Sequence, residues 1–350
     1  MRKKVVLISH ELSYTGAPRS LLNVALALRK AKFDVTVWSL IEGEFREEFE
    51  KRKFPVSVIN GCMEDLGKRA EEFDLAICNT FFGGECVKYL QSYIPTIFYI
   101  REAENLPDLA KNCCLDEENL KNAEHVVCVS EYAKHFIEKQ YEPKEIQIVH
   151  NCVVDEYRGR RNRLKKDMIH IMIAGTVEHR KGQDIAIEAF RKLPNEIRNH
   201  MMLHIVGRKP EWSREYWEQL EFSEESHVIY HPEVRDKKER RRLYEGMNVF
   251  LVASRDESCS LVALEGAMFG KALILTENVG AKYLLTPENG FSYETESSEQ
   301  LKVVLENLYK RKSELKRMGK VSRKQYLRMA TPKVNKSELL KAIELVLERK

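Results

Sequence analysis

The chain predicts an α/β protein made of two doubly wound domains with parallel sheets. Three observations carry that reading. Short β-branched runs alternate with amphipathic helical stretches along nearly the whole length. The alternation breaks near residues 153–167, where apolar residues thin out and Arg and Lys accumulate. A length of 350 residues at 43% apolar content exceeds one typical domain and suffices for two cores.

The elements follow in order. Lys4 to Ser9 (KVVLIS) is the continuous apolar run expected of a strand buried on both faces. Leu21, Leu22, Val24, Ala25 and Leu28 then recur at helical spacing, predicting a helix over Ser20 to Lys32. Strands at Asp34 to Ser39, Val56 to Ile59, Leu75 to Cys78, Thr96 to Ile100 and Val126 to Val129 complete a first domain, residues 1–152. A basic linker, 153–167, leads into a second domain over 168–333. Its strands are Ile169 to Ala174, Met202 to Val206, Val228 to Tyr230, Val249 to Ala253, Ala272 to Leu275 and Phe291 to Tyr293. Helices are predicted at Asp184 to Lys192, Lys237 to Gly246 and Leu261 to Gly270. Residues 297–350 read as helices only, with 334–350 expected to return to the first domain. Two such domains facing one another would hold a ligand cleft at the strand C-termini.

Composition narrows the function classes. A net charge of +4 is nearly balanced for this length and gives no reason to expect a nucleic-acid partner. Basic residues cluster at Arg158 to Lys166 and at Lys237 to Arg242. Each cluster reads first as a solvated linker or helix face, and second as a contact for an anionic membrane surface or acceptor. None of the eight cysteines forms a C-x-x-C pair, which argues against zinc-ribbon and thioredoxin readings. Cys78 and Cys128 lie in apolar runs, as small buried hydrophobes do in a reducing compartment. The start, MRKKVVLISHELS, does not read as a signal peptide, and no run of 18 apolar residues occurs. A cytoplasmic protein, peripheral to a membrane at most, is the expectation.

The segment Glu257 to Gly280 carries the chemistry. Glu257 and Glu265 stand eight residues apart, after a strand and around a predicted helix start at Ser258 to Leu261. The N–H groups of Ser258, Cys259, Ser260, Leu261 and Val262 would face a phosphate there. A carboxylate two turns into the helix can hold a sugar diol. An ordinary amphipathic helix with a solvated Glu is the alternative. A second element, Gly175-Thr176-Val177-Glu178-His179-Arg180-Lys181-Gly182, runs from strand through loop to helix, and Arg180 and Lys181 would clamp a diphosphate. In the first domain, Gly16, Ala17 and Pro18 lie at the predicted loop before a helix, where backbone N–H groups can approach a diphosphate or acceptor.

Glu257 and Glu265 together resemble the Glu-x7-Glu signature of retaining glycosyltransferases of the family 4 type, which have the GT-B fold. The likeness continues elsewhere. SHELSYTGAPRSLLNVALAL is similar to the family's first loop and helix, and Lys181-Gly182 to its diphosphate element. Val129-Ser130-Glu131, Asn151-Cys152-Val153-Val154-Asp155, His204-Ile205-Val206-Gly207 and Ser254-Arg255-Asp256-Glu257 match further stretches. Two departures stand out. Thr176 occupies the place of the family Arg after Gly175, so Arg180 is expected to supply that charge. Arg101 stands where many members carry an active-site His; it stays protonated and could only stabilise a departing diphosphate.

The resemblance implies transfer of a sugar from a nucleotide diphosphate donor, most simply a UDP-sugar, to an acceptor hydroxyl. The acceptor would be a carbohydrate, a lipid-linked glycan or a protein. Retention, a metal-independent site and no bound cofactor are implied as well. Glu257, Arg101, Lys181 and Arg180 would serve catalysis. Gly16, Ala17, Gly175, Gly207, residues 258–262 and Glu265 would hold the donor. A non-catalytic sugar-nucleotide-binding subunit is the alternative, favoured by the changes at Arg101 and Thr176. A phosphorylase-like reaction would need a far longer chain.

Overall fold

The computed structural model describes residues 2–59, 63–159, 168–220, 222 and 227–348. Cys62 and most of the basic run from Arg158 to Lys166 lie outside them. The chain divides into two compact units: residues 1–152 with 332–350, and residues 153–331.

Unit 1 holds a seven-stranded parallel sheet. Its strands are β1 (Lys4–Ser9), β2 (Asp34–Ser39), β3 (Val56–Val58), β4 (Leu75–Asn79), β5 (Thr96–Tyr99), β6 (His125–Cys128) and β7 (Ile146–Ile148). They lie in the order β3-β2-β1-β4-β5-β6-β7. Strands β4 and β5 are buried from end to end, and β1 from Val5 onward, because helices cover both faces. Helix α1 (Gly16–Lys30) follows β1 and buries Leu21, Leu22, Val24, Ala25 and Leu28. It begins four residues before the predicted start, with Pro18 in its first turn, where a missing N–H costs nothing. The C-terminal helix Pro332–Glu348 packs against α1. Glu338 accepts from the His150 backbone N–H at 2.8 Å, and Asn335 donates to the His150 carbonyl at 2.7 Å.

Unit 2 holds a six-stranded parallel sheet. Its strands are β8 (Ile169–Ala174), β9 (Met201–Val206), β10 (Val228–His231), β11 (Val249–Val252), β12 (Ala272–Thr276) and β13 (Gly290–Tyr293), in the order β10-β9-β8-β11-β12-β13. Helices α2 (Gln183–Arg191), α3 (Lys237–Gly246), α4 (Leu261–Met268) and α5 (Leu315–Met329) matter for the site and its surroundings. The core joins Ile171, Ile173, Leu203, Ile205, Leu251 and Ile274 of the sheet to Phe190 of α2. Both sheets reverse strand order beside their first strand, the doubly wound arrangement that leaves a crevice at the strand C-termini.

Five of the seven described cysteines are buried, while Cys113 and Cys114 are exposed at a helix end, unlike the apolar-run cysteines. No described helix is long and apolar enough to cross a membrane.

Three histidines form a row through unit 2. His170 Nδ1 meets His204 Nε2 at 2.9 Å, and His204 Nδ1 meets His231 Nε2 at 2.9 Å. Burial, and then the two neighbouring rings, push His204 down to about 3 from an ordinary 6.5. Burial also lowers His170 and His231. The fold therefore holds His204 neutral, whereas the unfolded chain takes up a proton below its ordinary value. Stability should be full above about pH 6.5 and fall as the pH drops toward about 3, by about 2 kcal/mol at about pH 5 for His204 alone. Thermal melts across that range check this. The His204→Leu variant should show a shallower slope; the same slope in both proteins would refute the assignment.

Candidate active site

In unit 2 the site is built at the C-terminal ends of β8, β9 and β11. Two close approaches require glycine. A Cβ on Gly207, just past β9, would sit 1.7 Å from the Gly175 carbonyl oxygen, just past β8. A Cβ on Gly182 would sit 2.0 Å from the Ala253 carbonyl oxygen, and Gly182 has φ +64°. The Lys-Gly pair thus lets the loop turn down onto the end of β11. That brings a 3-10 turn, His179–Lys181, against residues 254–257. The Arg255 N–H donates to the Arg180 carbonyl at 2.8 Å, fixing the approach.

The outcome is an ion cluster. Lys181 Nζ contacts Glu257 Oε2, and their side chains are only 18% and 15% exposed. Arg180 Nη1 reaches the same oxygen at 3.5 Å and the Asp256 carbonyl at 3.2 Å, while its Nη2 donates to Glu178 at 2.8 Å. Ser254 Oγ lies 3.5 Å from Glu257 Oε2. Burial works against the Glu257 carboxylate, but Lys181 and then Arg180 outweigh it and hold its pKa below the ordinary value. Burial, opposed by Glu257, draws Lys181 below its usual value. Arg180 is 40% exposed, and Thr176 offers its carbonyl to Gln183 at 2.9 Å.

Glu257 is held from behind. Its N–H donates to the Asn278 carbonyl at 3.0 Å, and the Gly280 N–H donates to its carbonyl at 2.8 Å. Helix α4 starts four residues later. Its N-cap, Ser260, has φ +76°, a conformation that costs a non-glycine residue about 1–3 kcal/mol. The Ser260 hydroxyl caps Ala263 N–H at 3.3 Å. The amides of Leu261 and Val262 have no acceptor among the described residues and suit an anion. Lys181, Ser254, Glu257, Ser260 and Val262 line one recess. Ser258 is half-buried and Cys259 buried beside it.

Glu265 does not share that recess. It lies in the second turn of α4, where its charge raises the pKa of Arg240 on α3. Arg240 also reaches Glu156 at 3.4 Å. Arg255 donates to Asp184 at 2.8 Å and to Glu296 at 2.6 Å, tying the 254–257 loop to α2. Asp184, Glu178 and Glu296 carry no motif that spacing could have flagged.

In unit 1, Arg101 follows β5. Its guanidinium lies 3.8 Å over the Tyr99 ring, donates from Nε to Asn79 at 2.8 Å and from Nη1 to Asn151 at 2.5 Å. Asn79 in turn donates to the Ala17 carbonyl at 3.4 Å, so Arg101 and the start of α1 share one network. Glu102 takes backbone N–H groups of Arg101 and Phe81 at 2.9 and 3.1 Å. Gly16 lies inside the first turn of α1, not in a loop before it, and a Cβ there would meet open space. Its glycine is therefore not forced by packing. His10 meets Thr80 at 3.0 Å and Glu11 at 3.5 Å, a polar cluster at the ends of β1 and β4 that the sequence did not announce.

Residues 155–325 match the family described as Glycosyl transferases group 1, and residues 1–151 match Glycosyl-transferase family 4. The chain is a GT-B glycosyltransferase. Solved structures agree at the level of the fold. HepE of Anabaena, in complex with UDP and glucose, superposes with a TM-score of 0.78 at 16% identity, covering 98% of this chain and 100% of that one. A glycosyltransferase from Rickettsia africae gives 0.80 at 15% identity over 100% of both. The lipopolysaccharide outer core galactosyltransferase WaaB gives 0.75 at 14% identity, over 97% of this chain and 99% of that one. No curated protein matches the chain in sequence.

Proposed function

We propose that this glycosyltransferase moves a hexose from a UDP-sugar to an acceptor hydroxyl with retention and without a metal, in assembly of a glycan, glycolipid or glycoprotein. The observation that carries the proposal is the convergence of Lys181, Arg180 and Glu257 beside the amides of Leu261 and Val262, which have no acceptor among the described residues. The leaving group is a nucleoside diphosphate. Two cations and a helix N-terminus neutralise the charge that grows on it, the work a metal does elsewhere. Among the described residues the Glu257 carboxylate is met at Oε2 alone, so Oε1 remains for donor-sugar hydroxyls. The UDP and glucose bound by the like-folded HepE support the choice of donor class. Arg101, held by two asparagines, carries its positive charge at a strand end of unit 1.

A thermal-shift screen against nucleoside diphosphates and their sugars tests the donor, and the anomeric configuration of the product by NMR tests retention. Stabilisation by UDP and UDP-sugars, with turnover that survives a chelator, is expected. Binding without donor hydrolysis or transfer would favour the non-catalytic subunit instead.

Glu265 should hold the ribose diol. Glu265→Ala should weaken UDP binding by about 1.5–3 kcal/mol, or about ten- to a hundredfold, in calorimetry. Arg240 keeps Glu156 as a partner in that variant, so the fold should survive. Unchanged UDP affinity would remove Glu265 from the site.

A further inference from the structure

Helix α5 has two unlike faces. One buries Met318, Gly319, Ser322 and Tyr326. A Cβ on Gly319 would sit 1.9 Å from the Gly270 carbonyl oxygen, so this face lies hard against the end of α4. The other face is exposed and carries Lys316, Arg317, Lys320, Lys324, Leu327 and Arg328. At 3.6 residues per turn these six fall within one arc of about 120°. No Asp or Glu occurs anywhere in Leu315–Met329. Lys316, Lys320, Lys324 and Arg328 follow one another at i,i+4 and make no ion pair among the described residues. Arg317 pairs with Glu314, which precedes the helix, and Arg323, outside the arc, pairs with Asp155.

Like charges at i,i+4 repel, so the fold sustains this row against its own electrostatics. An external anionic surface would relieve it. We propose that this face of α5 docks the protein on an anionic phospholipid membrane. Leu327, 52% exposed, lies inside the cationic arc, and a lipid surface accepts both a basic row and an apolar side chain at the headgroup boundary. A nucleic acid would call for a groove-filling or stacking element. The one aromatic residue of α5, Tyr326, is fully buried, with its hydroxyl donating to the Val153 carbonyl at 2.9 Å. The inference goes beyond the donor chemistry and holds for any acceptor; a lipid-borne acceptor would give the contact its purpose.

Sedimentation with vesicles tests it. The full-length protein should bind phosphatidylglycerol–phosphatidylcholine vesicles, ignore pure phosphatidylcholine, and release as salt rises. Each basic residue near such a surface strengthens partitioning about fivefold. Changing Lys316, Lys320, Lys324 and Arg328 together to Gln should therefore lower the partition coefficient by roughly several hundredfold, with the thermal shift by UDP unchanged. Lys237→Gln with Lys238→Gln, on the exposed start of α3, is the comparison and should change little. An equal loss per charge removed in the two variants would mean net charge alone and overturn the proposal. Failure to bind anionic vesicles would overturn it as well, including the case where the protein binds heparin or DNA. A UDP shift that persists while vesicle binding fails would sink the membrane contact and leave the transferase reading intact.

Discussion

Lys181→Ala should lower turnover by on the order of a hundred- to a thousandfold, the loss seen when one preorganised charge-stabilising donor is removed. Lys181 is the least exposed cation of the cluster and stands directly on Glu257. In the transition state the bond from the anomeric carbon to the diphosphate is breaking, and negative charge gathers on the phosphate oxygens. A buried ammonium group acts there through a low local dielectric, so it is worth more than an exposed one. Arg180 is 40% exposed and shared with Glu178 and Glu257, so Arg180→Ala should cost less, on the order of tenfold. Steady-state kinetics with a saturating donor measure both losses. Removing Lys181 leaves Glu257 with Arg180 at 3.5 Å and Ser254 at 3.5 Å, which limits the harm to the fold; a melting curve verifies it. Wild-type turnover in a folded Lys181→Ala protein would refute the diphosphate clamp. Wild-type turnover in Arg180→Ala would show that Thr176 has no functional substitute at Arg180.

The strands were legible because parallel strands buried on both faces are continuous apolar runs. Lys4–Ser9, Asp34–Ser39 and Ile169–Ala174 stand where they were read, and the other predicted strands differ by about a residue at an end. Strand β7, Ile146–Ile148, escaped. It is a three-residue, half-buried edge, too short for any period to show. The start of α1 was read late because Gly16 and Pro18 resemble loop residues, while physically both are tolerated in a first helical turn. At the site, the motif residues were legible from order and residue type, but their partnerships were not. Lys181 and Glu257 are 76 residues apart and meet only because Gly182 folds against Ala253. The hold of Asn278 and Gly280 on Glu257 and the row of His170, His204 and His231 likewise come from strand order. Glu-x7-Glu suggested two carboxylates in one pocket. Glu257 precedes the helix, so helical spacing does not govern it, and the charge of Glu265 acts on Arg240, a partner no spacing announces.

Glu257→Gln should cut kcat on the order of a hundredfold while UDP affinity holds or rises. Glu257 has two roles that charge separates. Its Oε2 holds Lys181 and Arg180, and its Oε1 is proposed to accept donor-sugar hydroxyls. In the absence of donor the carboxylate neutralises the cations that an incoming diphosphate must claim. An amide at this position keeps an acceptor oxygen but no longer competes for them, so free UDP should bind at least as well. Transfer should suffer, because the hydroxyls lose a charged acceptor and Lys181 loses the anchor that fixes its position. The variant should also be less stable without ligand, since breaking a buried ion pair costs about 3–5 kcal/mol, with solvent at the partly exposed Arg180 lowering that figure. UDP should restore more of the melting temperature than it adds to the wild-type protein, because phosphate replaces the missing anion. That larger ligand shift separates the proposed role from a merely structural one. Equal losses of UDP affinity and turnover would place Glu257 on the nucleotide or in support of the fold. Unchanged kinetics would leave Glu257 a structural partner of Lys181 and strengthen the case for a non-catalytic subunit.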